Sequence, residues 1–529
     1  MSVDVSAPPA APGPVVRLGS RTRTALLVGV GIAIAAGIVL RFRAAPGLWL
    51  DEAQSVAIAR QPLGGLLAAL REDGAPPLYY LILHGWMGLF GTGDVAVRAL
   101  SGLLSAATLP LAWLAGRRIG GNRWTGWVAV LLMATNPWVV RYASETRMYA
   151  LLVLLVLAGL LAVDGLRRRP TPVRVAGMAL LSGALMLTHY WALFLLPVVG
   201  VGLATFALRR RARWAWYAVA GIAAGSVLFL PWLPSFVFQS VHTGAPWAGR
   251  PHLDDLAQVP RQWVGSSLLL TLVFWPLLVL GLAATPGAVP GTLRLRGGVP
   301  AARWLAAVVI GTVVAAWGAA MAGAGAFVPR YTAVVVPLAV LVAVFGAAAL
   351  PRRLGNAAVA VVTVLGLGVV VTHGLGDRTQ AVQVAELLSR QAVPGDVVAF
   401  CPDQLGPSVS RALAQRQVTG LRLVSYPTGG TPERVDWVDY AQRNADGSPR
   451  RFAADLDRYA GRTGRVFVVQ GSYPYRTFGS ACEDLVKLLD KRLGEHAVLA
   501  SPRDSAYERM WLLGWSSFAS GVIDNTARR

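Results

Sequence analysis

A chain of 529 residues that is 55% hydrophobic and only 14% charged is not composed like a soluble globular protein, in which about 25% of residues are charged. The net charge of +22 raises nucleic acid as a partner, but the basic residues fall in short clusters between long apolar runs, with no basic stripe interleaved with aromatics. Composition and charge placement therefore exclude a nucleic-acid-binding protein. They leave a polytopic α-helical membrane protein whose basic clusters mark the cytoplasmic ends of its spans.

In chain order, residues 1–23 form a cytoplasmic tail with Arg17, Arg21 and Arg23. The first span, about 24–42, runs outward; it begins too far in, and lacks a small-residue cleavage site, for a removable signal peptide. Just past it comes Leu48-Trp49-Leu50-Asp51-Glu52. Two readings stay open for carboxylates so close to a bilayer. They cap a short interfacial helix, since acids favour a helix N-terminus, or they form the acid–base centre of a membrane enzyme.

Residues 53–72 have a helical pattern, and 77–91, with Tyr79, Tyr80, His84 and Trp86, is short for a crossing. Counting it as one would put Arg117 and Arg118 outside, so it reads as an interfacial or re-entrant helix. Residues 43–98 then form one long outer loop lying on the membrane. The next crossing, about 99–116, returns to Arg117-Arg118, and spans near 124–140 and 148–166 turn outside at Ser144-Glu145-Thr146-Arg147. Spans near 174–188 and 191–208 turn outside at His189-Tyr190, between the inner clusters Arg167–Arg169 with Arg174 and Arg209–Arg211 with Arg213. A span near 214–232 leads to a polar outer loop, and the rest fall near 266–284, 304–327, 332–350 and 356–373. The total is about eleven crossings, with Arg294, Arg296, Arg303, Arg352 and Arg353 all inside.

The transmembrane domain thus spans 24–375, and 376–529 reads as a soluble extracytoplasmic domain. Val397–Phe400 and Val466–Val469 have the apolar runs of buried strands, and 380–391 and 482–493 those of helices, which makes this domain α/β. The only cysteines, Cys401 and Cys482, both lie in it. On this topology they sit where a disulfide persists, though spacing alone leaves a bridge and two free thiols equally open. High alanine and arginine usage with little lysine points to a GC-rich bacterium, so the membrane is a bacterial plasma membrane.

Several cations stand at the outer ends of spans. Arg98 begins the second crossing with Ser101, Arg147 and Tyr149 open a later one, and Arg330 and Tyr331 open another in Pro329-Arg330-Tyr331. Each arginine alone is explained by reaching lipid headgroups. As a group they run against the positive-inside bias and call for anionic partners such as a lipid phosphate, which arginine grips through paired charged hydrogen bonds. His189 and Tyr190 read equally as an interfacial aromatic anchor.

The ordered set Trp49-x-Asp51-Glu52, Pro76-Pro77-Leu78-Tyr79-Tyr80, Leu83-His84, Arg98 with Ser101, Glu145-x-Arg147-x-Tyr149 and Pro329-Arg330-Tyr331 resembles the GT-C glycosyltransferases. Within them it is most similar to the polyprenyl-phosphate-mannose protein mannosyltransferases and bacterial aminoarabinose transferases, the family 39-like group. The resemblance covers about residues 20–350 and does not extend to the C-terminal domain. It implies that Asp51 is the general base for the acceptor, that Glu52 orients the acceptor or supports Asp51, and that Glu145 assists from the next outer loop. Arg147 and Arg330 would meet the donor phosphate, with Arg98, Tyr149, Tyr331, His84, His189 and Tyr79 in the substrate site. No clear set of metal ligands stands beside Asp51, so a divalent metal stays open; no other cofactor is implied.

The implied reaction moves a sugar, of mannosyl type or otherwise, from a polyprenyl-phosphate donor to a hydroxyl of a glycan, lipid or protein acceptor in the cell envelope, with inversion. It needs no nucleotide, in keeping with the lack of a recognisable glycine-rich phosphate loop. The rival is a transporter or flippase of lipid-linked sugars. That class shows paired halves with interrupted helices and charges at mid-membrane depth, and the sequence shows neither.

Overall fold

The computed structural model describes residues 20–244, 249–286, 293–294, 299–323, 326–374, 376–461, 464–472 and 479–515. Among these, six helices are long and apolar enough to cross a membrane: Asp94–Gly120, Tyr149–Arg168, Ala192–Arg210, Arg213–His242, Pro300–Met321 and Arg352–Thr372. Five shorter apolar helices accompany them: Thr24–Leu40, Leu78–Phe90, Pro172–Thr188, Leu268–Ala283 and Val336–Ala349. Leu78–Phe90, with 13 residues, rises about 20 Å against a hydrocarbon core of about 30 Å. That length suits a helix lying on the interface.

The span expected near 124–140 is broken. Helix Arg123–Thr135 ends at Asn136, and a short helix, Pro137–Ala143, starts anew. Pro137 cannot donate the hydrogen bond that would continue the first helix, but it fits the first position of the second. The Asn136 side chain accepts from Val139 N at 3.0 Å and caps the new helix. The break turns the chain into the loop 144–148, which carries Glu145 and Arg147.

Small residues let the spans approach closely. A methyl group on Gly346 would overlap the carbonyl of Leu277, and one on Gly281 that of Val342. Helices Leu268–Ala283 and Val336–Ala349 therefore touch backbone to backbone, the usual contact of helices that cannot rely on a hydrophobic drive in lipid.

Arg41, fully buried, ties the C-terminal end of the first helix to two others. Its guanidinium donates to Ser105 Oγ at 3.0 Å, to the carbonyls of Ala134 at 2.8 Å and Met133 at 2.7 Å, and to Gly37. The two distant carbonyls are the orphaned C-terminal acceptors of helix Arg123–Thr135, to which a cation is well matched. Arg41→Leu should therefore lower stability by roughly 3 kcal/mol, since charged hydrogen bonds are lost and buried carbonyls stranded. Thermal unfolding of the detergent-purified protein measures this, and an unchanged melting temperature would refute the assigned role.

Beyond the last span a five-stranded sheet forms, in the spatial order Arg422–Ser425, Val397–Cys401, Val466–Gly471, Met510–Trp515, Ala497–Ala500. The first three strands run parallel, while Met510–Trp515 is antiparallel to both its neighbours. Helices Ala381–Gln391 and Gly406–Gln415 contribute to the apolar core on one face, and Pro449–Ala460 and Ala481–Leu493 to that on the other. Cys401 and Cys482 are joined as a disulfide. Trp49 and Leu50, which follow the first helix, are buried in the first of these cores. The residues just before Asp51 are thus packed inside the C-terminal α/β unit.

Candidate active site

Helix Leu50–Ala59 presents Asp51 and Glu52 in its first turn, and the two side chains part company there. Glu52 points inward and is fully buried. It accepts from Arg98 Nε at 2.7 Å and Nη2 at 2.5 Å, and from the backbone of Thr146 at 2.9 Å. Arg98 also donates to the carbonyls of Ala45 at 2.8 Å and Gly47 at 2.7 Å. Gly47 has φ +85°, and a side chain there would strike Val382, so the loop before Asp51 requires glycine at this point. Glu52 with Arg98 is a buried strut joining the loop, the helix start and the segment 144–148. Glu52 itself has no exposed surface.

Asp51 faces the other way. Its Oδ2 lies 3.8 Å from Arg147 Nε and 3.7 Å from Arg330 Nη2, and the three side chains keep between 11% and 17% exposure. These separations are ion pairs but too long for hydrogen bonds. Asp51 Oδ2, Arg147 Nε, Arg330 Nε and the Tyr149 hydroxyl all have no hydrogen-bond partner among the described residues. Buried polar atoms are seldom left so, and here they converge on one carboxylate and two guanidiniums. Arg330 arrives on the 3-10 turn Pro329–Val334 ahead of helix Val336–Ala349, and Arg147 comes from the 144–148 loop.

The remaining expected residues fall into place unevenly. Glu145 is buried, with its Oε2 3.8 Å from Arg378 Nη1; burial raises its pKa, and Arg378 draws it back. His189 packs its ring 4.9 Å from Tyr331 and 6.0 Å from Tyr149, behind the arginines. Burial first, then Arg147 and Arg330, lower its pKa to about 3, so it is a neutral ring. Its Nδ1 accepts from Trp191 N at 3.1 Å. Tyr79 sits one step back, 3.1 Å from Ser101 Oγ. His84 stands apart: its Nδ1 meets the carbonyl of Ala59 at 2.7 Å and fastens Leu78–Phe90 to the end of the Asp51 helix. Among the described residues no group of three or more histidine, cysteine or carboxylate side chains is placed to hold a metal ion. Glu52 and Glu145 instead face arginines, an arrangement that does not suit a divalent cation.

Sequence reasoning missed several members. Arg147 Nη1 donates to Tyr80 at 3.2 Å and to Ser55 at 3.2 Å, and Tyr80 in turn donates to Asp73 at 3.1 Å. Ser55 lies four residues after Asp51 on the same helical face, and that spacing was a usable signal. Arg378, Tyr507 and Glu508, from the chain beyond the last span, had none. Tyr507 stacks edge-on against Trp49 at 5.3 Å and lies within the electrostatic reach of Arg330 and Asp51.

Glu508 is buried, and burial raises its pKa from 4.5 to about 8, a rise eased by the nearby Thr379 and Ser408 hydroxyls and by the hydrogen bond from Leu50 N. A carboxyl whose folded pKa lies above its unfolded value binds more proton in the folded state. Stability should therefore fall as pH rises from about 4.5 to about 8 and level off above. Measured against Glu508→Gln, wild type should lose relative stability across that window; parallel pH profiles for the two proteins would refute this.

This arrangement of apolar spans, short interfacial helices and a C-terminal α/β unit is a GT-C-like fold. Among solved structures, the chain is similar to ArnT from Cupriavidus metallidurans in the apo state, with 14% identity over 94% of this chain and 99% of that one, at a TM-score of 0.57. It is also similar to the same protein bound to undecaprenyl phosphate, with 14% identity over 94% and 98% of the two chains and a TM-score of 0.54. At that identity the likeness is one of fold. No protein-family model matches the sequence, and no curated protein does.

Proposed function

We propose that the protein is an integral-membrane inverting glycosyltransferase that moves a sugar from a polyprenyl-phosphate donor to an acceptor hydroxyl on the extracytoplasmic face. The observation that carries this reading is Asp51 held 3.7–3.8 Å from Arg147 and Arg330, with polar atoms on all three unpartnered. A phosphodiester meets the two guanidiniums through charged hydrogen bonds, and the acceptor hydroxyl meets Asp51. ArnT, which shares the fold, has been solved with undecaprenyl phosphate bound, and that supports a lipid phosphate as the anion.

In the reaction the acceptor oxygen attacks the anomeric carbon from the face opposite the phosphate. Its proton passes to Asp51 Oδ2 as the bond between carbon and phosphate oxygen breaks, and the electron pair leaves with the phosphate. Arg147 and Arg330 stabilise the charge that builds there. The transition state is oxocarbenium-like, and one displacement inverts the centre. The N-terminus lies in the cytoplasm and the α/β domain, 376–529, outside; the Cys401–Cys482 disulfide supports that side, since such bonds persist in oxidising compartments.

The test is sugar transfer from a synthetic polyprenyl-phosphate sugar by purified protein in detergent, where no gradient exists. Turnover of the donor supports the enzyme. Uptake of the lipid-linked sugar in sealed vesicles, with no transfer in detergent, would establish the transporter instead.

A further inference from the structure

Two segments carry the reacting groups: the start of helix Leu50–Ala59, with Asp51, and the loop 144–148, with Arg147. They are far apart in sequence, and a third part of the chain holds them together. Arg378 lies just beyond the last span and is buried. Its Nη1 donates to the carbonyl of Ser144 at 2.8 Å, and its Nη2 to Ser144 Oγ at 2.8 Å and to the carbonyl of Arg141 at 3.1 Å. The same guanidinium stands 3.9 Å from Glu52 and 3.8 Å from Glu145. It thus neutralises the C-terminal end of helix Pro137–Ala143, where a cation belongs, while facing both buried carboxylates.

Glu508 supplies a second point of attachment. Its Oε1 accepts from Leu50 N at 3.2 Å, the first backbone donor of the Asp51 helix. The N-cap residue of that helix, Trp49, offers no side-chain acceptor, so the capping group comes from 458 residues away. The two anchors are locked to each other: Glu508 N donates to the Arg378 carbonyl at 2.8 Å, and Gln380 N to the Glu508 carbonyl at 3.2 Å.

We propose that Arg378 and Glu508 form a clasp by which the C-terminal α/β domain sets the position of Asp51 against Arg147, with Arg378 as the principal positioning residue. The assignment rests on the reading of Asp51 and the arginines as the transfer site. Neither clasp residue is a catalytic residue, because both are buried behind Glu52 and the helix start. The domain is also attached away from the site, where Arg411 donates to Asp94 at 2.8 Å and to the carbonyl of Thr92. That contact offers a control for docking alone.

The test compares full-length Arg378→Met, Arg378→Lys and Arg411→Gln in two readouts. The first is transfer kinetics with a synthetic polyprenyl-phosphate sugar. Arg378→Met should lose about 100-fold in kcat, as expected for a displacement of about 1 Å, with donor KM within about threefold. Arg378→Lys, which keeps the charge but not the fork, should recover about tenfold of that loss, while Arg411→Gln stays near wild type. The second readout is backbone hydrogen exchange, which needs no turnover. In Arg378→Met, peptides covering 48–56 and 141–149 should exchange at least about tenfold faster, with no such change in Arg411→Gln.

Equal kcat losses in Arg378→Met and Arg411→Gln would overturn the clasp, since docking alone would then suffice. So would unchanged exchange in both peptides. If wild type transfers no sugar, the proposed function fails by itself, and exchange still decides whether Arg378 fixes the geometry.

Discussion

Asp51→Asn should abolish sugar transfer while the protein still reaches the membrane and unfolds at the wild-type temperature. The amide keeps the shape of the side chain but has no place for a proton at the oxygen nearest the arginines. Loss of a positioned base commonly costs about 100- to 10,000-fold in rate, so turnover should fall by at least about 100-fold. Stability should hold, because Asp51 Oδ2 makes no hydrogen bond within the described residues and its ion pairs are 3.7–3.8 Å long. Donor binding should hold or tighten, since Arg147 and Arg330 then have no carboxylate to share with the incoming phosphate. Steady-state kinetics with a polyprenyl-phosphate sugar, set beside thermal unfolding, separate these outcomes. Near-normal turnover in Asp51→Asn would remove Asp51 from the reaction.

Much of this geometry was legible in the chain because lipid imposes simple rules. Apolar runs must be helices, basic clusters take one side, and arginines at the opposite span ends stand out against that bias. Arg98, Arg147 and Arg330 could therefore be picked out one by one, and the structure places each of them against Asp51 or its neighbour Glu52. The division of labour within Asp51-Glu52 was not legible. Adjacent residues on a helix point about 100° apart, and only the position of Arg98 decides which carboxylate is the buried strut. The helix-cap reading also proves too simple: the helix start is capped, but by Glu508. Pairing between residues 50 and 508 leaves no local pattern, because nothing in either segment depends on the other until the sheet has formed. The same holds for Arg378, which looks like an ordinary boundary arginine until the fold sets it beside Ser144 and Glu145. The break at Asn136-Pro137 was there to be read, since an asparagine cap followed by proline at the first helical position marks a helix start.

Glu52→Gln tests the buried strut and should damage the fold more than any substitution at Asp51. The amide presents its NH2 to donors on Arg98 and Thr146, where the carboxylate accepts bonds of 2.5–2.9 Å, and Arg98 is left without its anion. Removing one partner of a buried pair costs about 3–5 kcal/mol, because the other charge stays buried and unmatched. The melting temperature should therefore fall by several degrees and the yield of folded protein drop. Arg98→Met alone should be comparably harmful, since it strands Glu52 together with the carbonyls of Ala45 and Gly47. Combining the two removes both charges, so the double variant should be less destabilised than the sum of the singles by about 1–3 kcal/mol, the coupling expected for residues in contact. Strict additivity would mean that Glu52 and Arg98 do not act as a pair. Intact stability in Glu52→Gln with turnover lost would make Glu52 a participant in the chemistry. Loss of both together, restored in part by Arg98→Met, would show that Asp51 owes its position to a carboxylate that never meets the substrate.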